Sequence, residues 1–146
     1  MAEIREVDAE TMADIHSYAT TGLTLLGLAE NTAPKDIVAA ITEHVRALKA
    51  EQQSLSKDGT LALGILLGWQ YVHGLGWHWA EVVWDFDEDT AAIGVLPTDN
   101  SLFINPMWWM NDTVNTDRAT NFMLNYNMVA AHNVPPAARD EALGFH

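Results

Sequence analysis

The sequence contains no cysteine. That excludes disulfide cross-links, thiolate metal sites and a cysteine nucleophile, and it agrees with a reducing compartment. Basic residues are also scarce: seven lysines and arginines stand against twenty acids, a formal net charge of −13. Nucleic acid is therefore not expected as a partner, because binding it requires cations that neutralise phosphates. Anionic membrane surfaces are disfavoured for the same reason. The opening MAEIREVDAETMADIH lacks the basic-then-apolar order of a secretory signal, so a cytoplasmic location is expected. No run reads as a membrane span: residues 60–84 are the most apolar, but Gln70, His73, His78 and Glu81 interrupt them.

The usual catalytic signatures are missing too. Ser17, Ser54, Ser56 and Ser101 all lack the glycines of a nucleophile elbow. No phosphate-binding GxxxxGK[ST] loop occurs, and the glycines between 64 and 76 follow no strand, so they form no dinucleotide fingerprint. No cofactor is expected.

What remains is a chain of 146 residues with 49% hydrophobic content, enough for one domain with a real core. Apolar positions three and four apart predict helices over residues 9–28 and 34–51, with Asp8 and Thr32 as caps and Pro34 in the first turn. Gly22 and Gly27 weaken the first helix, so an end or bend near Thr21 is expected. A third helix over about 60–72 is apolar nearly all round, the mark of an element covered on several sides. Gly64 and Gly68 lie one turn apart on it and leave a strip where another backbone can approach closely. From Trp77 the period falls to two, predicting strands at 77–84, 91–96 and 102–104. Pro106 opens a short helical turn, residues 117–131 form the last helix, and a tail from about 134 docks loosely. The expected fold is a single α+β domain of 146 residues, with about four helices packed on a three-stranded antiparallel meander.

Candidate chemistry sits in two places. Asp85, Asp87, Glu88 and Asp89 alternate like the start of a calcium loop, yet Thr90 and Leu96 stand where its glycine and closing glutamate belong. A solvated acidic hairpin tip fits better than a metal site. His73, His78 and Glu81 match a zinc ligand set by type, but His78 and Glu81 point to opposite faces of a strand. No metal is expected there, and His16, His44 and His132 are isolated in sequence. The adjacent Trp108 and Trp109 cannot share one direction, so at least one lies near the surface, where tryptophan marks interfaces.

The order LALGILLGWQYV, GLGWHW, hairpin, LFINPMWW resembles small bacterial α+β proteins in which an LG-containing helix leads to a GW-x-W strand and a proline-ended hairpin. Some of those sit beside secreted toxins as immunity proteins. The resemblance spans residues 61–109; together with the acidic charge and the missing catalytic motifs, it points to a non-catalytic binding module that occludes the basic active site of a cognate toxin. Asp85, Asp87, Glu88 and Asp89 would steer and pair with that basic protein partner, and Trp108 or Trp109 would anchor it. Two alternatives stand beside this reading: a small metal-dependent or small-molecule enzyme using His73 and His78, and a homo-oligomer, such as a homodimer, with the tryptophan pair buried between copies.

Overall fold

The computed structural model describes residues 2–146. Its architecture is α+β, with five α-helices and a three-stranded antiparallel sheet. Helix α1 (Ala9–Leu26) starts at Asp8, whose carboxylate accepts the Thr11 N–H at 2.7 Å. It runs past Thr21 without a break and stops at Gly27, whose φ of 67° only glycine adopts freely. Gly22 does not end the helix because it is buried against helix α3: a Cβ there would stand 2.9 Å from the Ala62 carbonyl oxygen. Close packing offsets the weak propensity.

Helix α2 (Pro34–Ala50) buries Ile37, Val38, Ile41 and Val45 along one stripe, as its periodicity predicts. Thr32 does not cap it. Its hydroxyl bonds the Ala29 carbonyl instead, and Ala33 holds the cap position with no side-chain bond. Helix α3 (Lys57–Leu75) begins earlier than expected, because the Ser56 hydroxyl accepts the Gly59 N–H at 3.0 Å. Residues 62–71 of α3 are buried without exception, and the helix is the centre of the core. Leu63, Leu66 and Leu67 are sealed from solvent, and each such burial stabilises the fold by about 1.5–3 kcal/mol.

Gly76, with a φ of 74°, reverses the chain into strand β2 (His78–Trp84). Strand β3 (Ala92–Leu96) pairs with it antiparallel, from His78 opposite Leu96 to Val82 opposite Ala92. The third strand is not residues 102–104. It is β1 (Ala2–Arg5), antiparallel to β2 with Ala2 opposite Trp84 and Arg5 opposite Glu81. The sheet is therefore no sequential meander, since three helices lie between β1 and β2. Strand β4 (Leu102–Phe103) pairs in parallel with β5 (Leu143–Gly144), and Ile104, the residue after it, bridges to Val95 of β3. The two sheet faces have different covers. Trp79 and Val95 face the helical core, while Ala80, Val82 and Leu96 pack on Phe103 and Ala142.

Helix α4 (Pro106–Asn115) is ten residues long rather than a single turn, capped by the Asn105 side chain on the Trp108 N–H. Its first turn lies on the Gly64–Gly68 strip, as the glycine spacing implies. Lys49 of α2 closes the other end by donating to the carbonyls of Thr113 at 2.7 Å and Arg118 at 2.5 Å. The last helix, α5 (Phe122–Ala130), starts five residues later than expected because residues 117–121 span that tethered connection. The segment expected to dock loosely bonds back along the 99–103 stretch, with the backbone N–H groups of Asp140, Ala142, Leu143 and Phe145 all donating to it.

Candidate functional site

The acidic residues predicted as a contact point lie on the turn that joins β2 to β3. The Asp87 N–H bonds the Trp84 carbonyl at 3.0 Å, and the two residues between them, Asp85 and Phe86, have φ of 53° and 59°. Positive φ at both central positions is the pattern of a type I′ hairpin turn, which favours asparagine and glycine. A bulky side chain there is strained, at a cost of order 1–3 kcal/mol. Thr90 rigidifies the arrangement: its hydroxyl accepts the Trp84 N–H at 2.9 Å and donates to the Asp87 carbonyl at 2.7 Å. Asp87 in turn accepts the Asp89 N–H at 3.0 Å, starting a single 3-10 turn over Glu88–Thr90.

Sequence reasoning missed the most prominent residue of this turn. Phe86 is 79% exposed, the highest value among the exposed large hydrophobics of the described residues. The signal was in the sequence, as an aromatic residue among five consecutive turn positions otherwise all acidic. Glu88 also differs from expectation. Both its oxygens accept from Arg5, at 2.6 and 3.1 Å, and that hydrogen bonding holds its carboxyl below the usual range. Arg5 also bonds Glu3 at 2.8 Å, so Glu88 fastens the turn to β1 more than it faces a partner.

The tryptophan pair divides. Trp108 is 53% exposed in the first turn of α4, with the His146 ring against it at 5.4 Å. Trp109 is fully buried, edge-on to Phe122 at 4.9 Å, and so cannot anchor a partner. The expectation that either could serve is corrected to Trp108 alone, because adjacent helical residues diverge and Trp109 takes the inward direction. The acidic turn packs against β2 whereas α4 packs on α3 and β3, so Trp108 and the carboxylates sit on separate elements.

His73 and His78 are not brought together. His73 stacks on Trp69, with ring centroids 4.9 Å apart, while His78 faces the 97–100 turn and shares a 2.7 Å hydrogen bond with Asn100 Oδ1. Glu81 lies on the sheet 3.9 Å from Arg5. Among the described residues no group of three or more histidines and carboxylates is placed to hold a metal ion.

His16, isolated in sequence, is not isolated in space: its ring centroid lies 4.7 Å from Trp69. The two histidines and this indole line a cleft of about 460 Å³ between α1, α3 and the start of α2. Positions 16, 19, 20 and 23 of α1 and 66, 69, 70 and 73 of α3 form its walls, each a stripe at helical spacing.

No protein family, curated protein or solved structure compared with the chain matches it. Among the described residues no helix is long and apolar enough to cross a membrane.

Proposed function

We propose that this protein is a non-catalytic binding module whose principal contact for a basic protein partner is the turn at 84–90. The observation that carries the reading is Phe86, an aromatic side chain held out in solvent on a strained backbone and flanked by Asp85, Asp87 and Asp89. A rigid exposed aromatic ringed by charge combines an apolar anchor with electrostatic steering. Trp108 supplies a second apolar point.

The partner class that best fits is a toxin domain with a basic active-site cleft, blocked by this turn. The net charge of −13 and the resemblance of residues 61–109 to small bacterial α+β proteins, some of which sit beside toxins as immunity proteins, support that assignment. The test is capture from the native host on immobilised protein, followed by affinity measurement on the isolated partner. Phe86→Asn suits the left-handed backbone, so it is expected to leave the fold intact while weakening the partner at least tenfold, the loss of about 1.4 kcal/mol that one anchor supplies. Equal affinity of Phe86→Asn and the parent would remove the turn from the interface. Capture of a second copy of this chain, confirmed by a dimeric mass in light scattering, would replace the toxin reading with a homodimer.

A further inference from the structure

The cleft between α1 and α3 carries an inference independent of the acidic turn. Its shape has a structural cause. The two helices run antiparallel and touch where Gly22 meets Ala62 and Leu66, and the cleft opens beside that contact, where His16 of α1 meets Trp69 of α3. The floor is apolar, from Leu23, Ile37 and Leu66. Trp69 forms the inner wall and is itself fixed, since His16 and His73 both pack on it. A volume of about 460 Å³ with an apolar floor and a few polar groups at the rim is the size and character of a small-molecule site.

The charge of the rim selects the ligand class. Glu30 is the only side chain of the lining that carries a formal charge with histidine neutral, and no lysine or arginine reaches the cleft among the described residues. The field of a chain with net charge −13 concentrates cations and repels anions. An organic acid would meet Glu30 and find no lysine or arginine to pair with.

We propose that this cleft binds a small organic amine with a compact ring body. The ring lies on Leu23, Ile37 and Leu66 beside the fixed indole of Trp69, and the ammonium group lies at the rim beside Glu30 and Asn31. The site neither overlaps the 84–90 turn nor uses any residue of it.

The probes are benzylamine, benzyl alcohol, benzoate and n-butylamine, followed by NMR on the indole N–H signal of Trp69, assigned through Trp69→Phe. Benzylamine is expected to shift that signal saturably with Kd of about 1 mM or tighter, in keeping with so small a ligand. Benzyl alcohol is expected to bind about three- to fivefold more weakly, the contribution of one partly exposed ion pair. Benzoate is expected to show no saturation. Glu30→Gln, a change at an exposed loop position, should reduce the amine-to-alcohol ratio to about one. Thr20→Trp, which fills the cleft from the exposed side of α1, should abolish the shift. Absence of saturation by benzylamine up to about 10 mM, far above the Kd expected of a built site, would overturn the proposal. So would benzoate binding as tightly as benzylamine, or an unchanged preference in Glu30→Gln. Equal binding of n-butylamine and benzylamine would also overturn it, because the same ammonium could then come from a lysine side chain rather than a ring-bearing ligand.

Discussion

Gly64→Ala tests the packing of α4 on α3, on which the placement of Trp108 depends. A Cβ at position 64 would lie 2.9 Å from both the Met107 Cα and the Pro106 carbonyl oxygen, and 3.3 Å from the Met107 nitrogen. All three are backbone atoms of the first turn of α4, so no side chain can rotate to make room. Two effects oppose one another. Alanine is about 1 kcal/mol better than glycine in a helix interior. Overpacking a closed contact costs about 1–3 kcal/mol, and a backbone obstacle puts this site at the upper end. Moving α4 would also disturb Trp109 and Met110, both fully buried. The balance is a loss of about 2 kcal/mol, which lowers the melting temperature by roughly 4–8 °C in a domain of this size. Calorimetry or urea unfolding measures it, with Gly144→Ala as the control, because no atom lies within 4 Å of a Cβ built there. A Gly64→Ala protein as stable as the parent would refute the backbone-on-backbone reading of the strip.

Three further outcomes are expected. Tyr71→Phe removes the hydroxyl that donates to Asn125 Oδ1 at 2.5 Å in the core, so urea unfolding should show a loss of about 1–3 kcal/mol from the stranded acceptor. Lys49→Met removes the cation that ties two carbonyls at the end of α4, and the same measurement should give about 1.5–3 kcal/mol with the loss centred on hydrogen exchange in residues 113–120. His146 is held down to about 4 from an ordinary 6.5, first by burial and then by Arg118. The unfolded chain therefore takes up a proton between those values that the folded chain refuses. Stability present above pH 6.5 is lost as pH falls toward about 4, and melting temperatures of His146→Gln should decline less over that interval than those of the parent.

Most helices were legible because their signals are local. The stripe of Ile37, Val38, Ile41 and Val45, the Asp8 cap and the all-round apolarity of α3 all lie within a turn or two of sequence. The glycine strip was legible as a surface, although the spacing did not name Pro106 and Met107 as its occupants. Strand β1 was not legible: AEIR is four residues with two charges, and it becomes a strand only because β2 offers it a ladder from Glu81 to Trp84. Residues 106–115 read as a turn because MNDTVN has weak helix propensity, while the cation that closes the helix comes from α2. The acidic turn was found by composition. The exposure of Phe86 is not legible because it depends on turn geometry, and the burial of Trp109 is not, because the inward direction of a helix is set by its neighbours. His16 reaches Trp69 only through α1 packing on α3, a proximity that no local spacing carries.

The order of strands in the sheet has a consequence for biosynthesis. Of the three, β1 leaves the ribosome first and stays unpaired until β2 is made, since its only partner in the sheet is β2 and the facing residues run to Trp84. Until then the nascent chain carries an unpaired strand, and β2, once made, presents a free edge containing Ala80, Val82 and Val83, open to another chain. The ion cluster of Arg5 with Glu3, Glu81 and Glu88 is the lock on that delayed pairing. Weakening it would show itself less in the equilibrium stability of purified protein than in the yield of soluble protein during rapid expression.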